Sequence, residues 1–132
     1  MQDFRKLLVW QRAHALAIAV DQMSRGFPRP GGGALRGQLS RAADSIAANI
    51  AEGCGASSSR EFARYLDIAI KSTSETQHHL LSAGDRGLIP RTACDAAVDE
   101  SVEIRRMLHG LRKRVLGALS PPPRTATKLT TD

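Results

Sequence analysis

The chain has 132 residues, near the roughly 150 expected of one domain and enough for a hydrophobic core without metal or disulfide staples. Hydrophobic residues make up 42% but aromatics only 4%; Ala and Leu dominate, which excludes an all-β sandwich or barrel and the single-strand nucleic-acid readers that stack bases on aromatic platforms. Nineteen Lys and Arg against thirteen Asp and Glu leave a net charge of +6, a balance that suits contact with RNA, DNA or an acidic protein and bears on encounter rather than on fold.

Leu8/Val9, Ala13, Leu16, Val20 and Met23 recur at steps of three and four, which predicts a first helix near 7–24. The stretch Phe27-Pro28-Arg29-Pro30-Gly31-Gly32-Gly33 ends it, because prolines and glycines so close together cannot continue a helix. Leu35, Leu39, Ala42, Ile46 and Ile50 predict a second helix near 34–52. Alanine lies off that stripe as well, which points to burial on more than one face and to partial cover by another subunit. Gly53 to Ser59 forms the next break, and its serines offer an N-cap. Phe62, Leu66, Ala69, Thr73, Thr76, Leu80 and Ala83 predict a third helix near 58–85, with Gly87 placed just beyond its end and Pro90 at the start of the next. Val98, Val102, Ile104, Leu108, Leu111, Val115 and Leu119 predict a fourth near 90–118. The expected fold is all-α: an antiparallel up-down-up-down four-helix bundle over 1–119, since short connections favour antiparallel neighbours. Residues 120–132, with Pro121-Pro122-Pro123, lack apolar periodicity and read as a disordered tail.

The segments Leu8-Val9-Trp10-Gln11-Arg12-Ala13, Phe27-Pro28 and Gln38 through Gly53 resemble the four helix bundle protein family, also called the 23S ribosomal RNA intervening-sequence protein family. The block Glu61-Phe62-Ala63-Arg64-Tyr65-Leu66-Asp67-Ile68-Ala69, with Ser72 and Glu75, is similar to that family's third-helix signature, and the match spans about 4–112. Lys71 stands where the family usually has Gly, and Thr76 and Gln77 stand where an apolar residue is common. The resemblance implies assembly into a homopentameric ring, kinship with the accessory protein of diversity-generating retroelements, and no enzymatic activity. It makes a second copy of the chain, the RNA or DNA backbone, and a reverse transcriptase or other protein the expected partners.

Catalytic and metal chemistry find little support. Glu75 and His78 have the Glu-x-x-His step of iron- and manganese-binding bundles, but such a site needs two copies of the step plus further carboxylates, and no second copy exists. Gly32-Gly33-Ala34-Leu35-Arg36-Gly37 copies the glycine spacing of a phosphate-binding loop, yet Gln38 replaces its lysine and no strand precedes it. Cys54 and Cys94 have neither CxxC spacing nor an orienting His, which suits a reducing cytosol. No secretory core follows the N-terminal residues, and no run approaches the ~20 apolar residues of a membrane span, so a cytoplasmic protein without a membrane partner is expected. No catalytic, cofactor or metal residues are assigned.

Two sets of polar residues stand out. Gln38, Arg41, Ser45, Asn49 and Glu52 form a polar seam on the second helix, and Glu75 is a candidate to pair with it from the third; a structural role is favoured over a ligand pocket, since buried polar groups must be satisfied. At about 100° per residue, Arg105, Arg106, His109, Arg112 and Lys113 fall in one stripe of the fourth helix, away from Ile104, Leu108, Leu111 and Val115. Residues 100–132 hold seven Lys/Arg against three Asp/Glu. The stripe is either a solvated face or a candidate phosphate-backbone contact, and without a base-reading element such contact is independent of sequence. The function expected is therefore a non-enzymatic oligomeric scaffold or accessory protein with nucleic-acid affinity. The alternatives are a protein-interaction module without that affinity and a carboxylate-bridged metal enzyme.

Overall fold

The computed structural model describes residues 3–29 and 31–117, which are helical apart from short connections. A 3-10 turn at Phe4–Lys6 leads into α1 (Leu8–Ser24), α2 (Gly33–Cys54), α3 (Ser59–Asp85) and α4 (Arg91–Gly117). The predicted tail at 120–132 lies outside the described residues. The opening 3-10 turn has no counterpart in the apolar periodicity; Asp3 caps it, accepting from the Arg5 amide at 3.1 Å.

The helix ends follow local chemistry. The Ser58 hydroxyl accepts from the Glu61 amide at 3.1 Å, while the Glu61 carboxylate accepts from the Ser57 amide at 3.0 Å. The reciprocal pair satisfies the open amides at the start of α3, as in a capping box shifted by one residue. At its other end Gly87 has φ +72°, its amide donates to Gly84 O at 3.0 Å, and the Leu88 amide donates to Ala83 O at 2.9 Å. This is a Schellman ending, and a left-handed residue with no Cβ penalty makes it possible. Pro90 stands immediately before α4, and its carbonyl accepts from Cys94 at 2.9 Å.

The helices pack in cyclic order, α1 on α2, α2 on α3, α3 on α4 and α4 back on α1. Leu39, Ile46, Ile50, Leu66, Leu80, Ile104 and Leu108 are completely buried. Because α2 meets both α1 and α3, its alanines are largely covered within one chain: Ala42, Ala43 and Ala47 are buried. Ala48 remains exposed and Ala51 half-buried. Part of the alanine surplus is thus explained without a second subunit.

Three buried hydroxyls of α3 and α4 bond within their own helices. Thr73 donates to Ile70 O at 2.6 Å, Thr76 to Ser72 O at 2.7 Å and Ser101 to Val98 O at 2.7 Å. This is how a Thr or Ser takes an apolar position without an unsatisfied polar group. Gly84 packs so tightly on α4 that a Cβ there would lie 2.6 Å from Cys94 Sγ. On the α1–α4 side, Arg12 grips Glu100 at 2.6 and 2.8 Å and reaches the Met107 sulfur at 3.8 Å.

Candidate nucleic-acid interface

The structure divides the basic stripe of α4 by what each side chain touches. Arg105 donates from Nη1 to Ser74 Oγ at 3.2 Å and to Gln77 Oε1 at 2.9 Å. Arg112 donates from Nε to Asp67 Oδ1 at 2.6 Å. Both lie at the margin of the core, bound across to α3. Arg106 pairs along its own helix with Glu103, Nε to Oε1 at 3.0 Å, and its guanidinium holds the Glu103 carboxyl below the usual carboxylate range. His109 and Lys113 are exposed. Reversing Arg105 and Arg112 would thus cut the α3–α4 seam as well as the surface charge, so they are unsuited to a test of binding alone.

Spacing along α3 adds a second row that the apolar pattern of the sequence does not bring forward. Arg60, Arg64, Asp67, Lys71, Ser74 and His78 recur at three and four residues and share its outer ridge. The contacts Asp67–Arg112 and Ser74–Arg105 place this ridge beside the α4 stripe. Arg60, Arg64, Lys71 and Lys113 are exposed and have no ion pair among the described residues. The guanidinium of Arg64 lies 5.2 Å from the Tyr65 ring centroid. Across the two rows Asp67 is the one carboxylate. A broad cationic surface results, built on two helices rather than one.

The polar seam is only partly joined. Asn49 Nδ2 donates to Ser45 O at 2.8 Å and Ser45 Oγ at 3.0 Å, and the Ser72 hydroxyl bonds to Ser45 Oγ at 2.8 Å across the α2–α3 contact. Gln38, Arg41 and Glu52 are exposed, and none of the three side chains has a hydrogen-bond partner among the described residues. Glu75 turns to His79 on its own helix, 3.5 Å away, instead of to α2. The seam is a three-residue α2–α3 link, not a continuous network.

Among the described residues no three His, Cys, Asp or Glu side chains converge as a metal site. The His78 and His79 rings sit edge to face at 5.2 Å. Cys54 is buried at the end of α2, where burial pushes its thiol up; Cys94 is buried as well. No described helix is long and apolar enough to cross a membrane.

The architecture defines a class: an all-helical protein of four packed helices with a cationic face on its last two. The chain belongs to the 23S rRNA-intervening sequence protein family, whose model matches residues 5–110. It is similar to the crystal structure of a protein of unknown function from the S23 ribosomal protein family of Bacteroides thetaiotaomicron, with a TM-score of 0.75 and 25% identity over 80% of this chain and 99% of that one. No curated protein matches the chain.

Proposed function

We propose that this chain is a non-enzymatic, oligomeric accessory protein that holds nucleic-acid backbone on the α3–α4 face without reading base sequence. One observation carries the reading: Arg60, Arg64, Lys71 and Lys113 are exposed and unpaired beside Arg105, His109 and Arg112, with Asp67 the one opposing carboxylate in those two rows. Cations in such an array bind by releasing counterions from phosphates. Helix faces without groove-entering base readers discriminate poorly between sequences. The test is retention of unrelated RNA and DNA duplexes at about 50 mM salt, where backbone contacts are strong. Wild type binds them with similar affinity, and Arg60→Glu/Lys71→Glu/Lys113→Glu loses binding with its helix content intact. No retention by wild type, or equal retention by the variant, refutes the reading.

The same proposal includes an antiparallel bundle and a homopentameric ring. Support for the antiparallel course comes from contacts whose α3 positions fall as the α4 positions rise: Gly84 with Cys94, Gln77 with Arg105, and Asp67 with Arg112. Support for assembly comes from the groove where Phe4, Trp10 and His14 face Ala48 and Ala51, with Ile18 48% exposed farther along the same helix. Five copies of the basic face in one particle turn weak contacts into avidity. Light scattering should give about five times the 14.2 kDa chain mass. Ala48→Glu, at an exposed position, should dissociate the ring; Ala47 is buried inside one chain and would report folding instead. A monomeric wild type refutes the ring and leaves the basic face to its own test.

A further inference from the structure

A cleft of about 400 Å³ opens between the end of α1 and the start of α2, lined by Arg25, Arg29, Arg36 and Arg41 together with Asp21 and Ser40. Its charge is unbalanced. Asp21 is the only carboxylate in the lining and is already shared, by Arg25 at 2.7 Å and Arg36 at 3.4 Å. Arg29 and Arg41 are exposed and have no ion pair among the described residues. The Nε of Arg36 is buried with no hydrogen-bond partner among the described residues. Arg41 lies back along its helix against Gly37, where an added Cβ would meet its Nη1 at 3.2 Å.

The backbone adds to the imbalance. The first turn of α2 has no acidic residue and Gly32 supplies no side-chain cap, so no carboxylate there offsets the positive end of the helix, whose first residue Gly33 lines the cleft. The loop is held close: the Gly32 amide donates to Pro28 O at 2.9 Å, and a Cβ on Gly32 would lie 2.6 Å from that oxygen. Four guanidinium groups beside a positive helix end repel one another across the cleft. A compact oxyanion with several acceptor oxygens offsets that repulsion with charge-assisted hydrogen bonds, against the opposing charge of Asp21.

We propose that this cleft binds a phosphate monoester. A monoester brings nearly two negative charges and three terminal oxygens, which match several guanidinium forks. A backbone diester brings one charge, and the concave lining suits a terminal group better than a passing strand. The group comes from a free small phosphate ester or from the phosphorylated end of a nucleic-acid strand, and its recognition is independent of the α3–α4 face.

The test is calorimetric titration of the full chain at low salt with inorganic phosphate and with adenosine monophosphate, then with one short oligonucleotide in 5′-phosphorylated and 5′-hydroxyl forms. Wild type should bind phosphate saturably at one site per chain. Arg29→Gln/Arg41→Gln should weaken binding by about tenfold or more, since charge-assisted hydrogen bonds are lost. In phosphate-free buffer the same variant should melt no lower than wild type, because repulsion is relieved; that result separates lost recognition from lost folding. Lys71→Glu/Lys113→Glu should keep phosphate binding, whatever it does to duplex retention. Preference for the 5′-phosphorylated strand assigns the ligand to a nucleic-acid end, whereas equal binding of the two strands with retained binding of adenosine monophosphate assigns a small ester. Absence of saturable phosphate binding by wild type, or undiminished binding by the double variant, overturns the proposal.

Discussion

Asp67→Asn tests the basic face by strengthening it. Asp67 is the one carboxylate in the two rows and holds Arg112 at 2.6 Å. Neutralising it removes a repulsive charge and frees Arg112 for phosphate. The pair is well solvated, with Arg112 37% and Asp67 46% exposed, so its loss costs about 0–1 kcal/mol after allowance for screening. For a domain of this size that is a fall in Tm of about 5 °C or less. If the four exposed unpaired cations each neutralise one duplex phosphate, the slope of log K against log salt is about −3.6 per chain, and the freed Arg112 makes it about −4.5. At ~50 mM salt one added contact amounts to roughly tenfold in affinity. Fluorescence anisotropy with a labelled duplex across a salt series measures both quantities, and circular dichroism confirms folding. A folded Asp67→Asn protein with unchanged slope and affinity refutes the assignment of this face, and loss of structure cannot mimic the expected gain.

Further outcomes are expected at Gly84, Ser58 and Cys54. Gly84→Ala should destabilise the chain by about 1–3 kcal/mol in urea unfolding, because its Cβ would lie 2.6 Å from Cys94 Sγ and force a shift between α3 and α4. Ser58→Ala should cost about 1 kcal/mol by the same measurement, since it removes the cap at the start of α3. Cys54, 3% exposed, should resist a thiol reagent until the chain unfolds. Burial raises its folded pKa above the unfolded value, so the folded chain holds that proton at higher pH and stability falls as pH rises through the ordinary thiol range. Cys54→Ala should reduce that fall in pH-dependent denaturation.

The four helices are legible because their apolar residues recur at the helical period and are interrupted at Phe27–Gly33, Gly53–Ser59 and Gly84–Pro90. At the helix ends that fall within the described residues, predicted and observed bounds differ by two residues at most, as between 34–52 and Gly33–Cys54 for α2. Gly87 is legible as an ending because its left-handed backbone is a local property. Pairing across helices is less legible. A helical wheel puts Arg105 and Arg112 in one stripe with Lys113, but it cannot say that the first two meet Gln77 and Asp67 while Lys113 meets solvent. The row Arg60, Arg64, Lys71 has readable spacing, yet its relevance depends on α3 lying beside α4. Glu75 is drawn to His79 by i, i+4 proximity, which competes with any reach toward α2.

The hydroxyls of Thr73, Thr76 and Ser101 bond inside their own helices, so they do not fix how far α3 is slid along α4. At one end of this pair the fit of Gly84 against Cys94, with the Cys94 thiol 3.3 Å from Leu80 O, is sealed from solvent. Toward the other, buried Leu66, Leu108 and Leu111 are flanked by Arg105 with Ser74 and Gln77 and by Arg112 with Asp67, at the rim where water and salt reach. The contact between the two helices is therefore asymmetric, dry at one end and wetted along its rim toward the other. Added salt therefore bears on the rim of this contact and leaves its sealed end untouched.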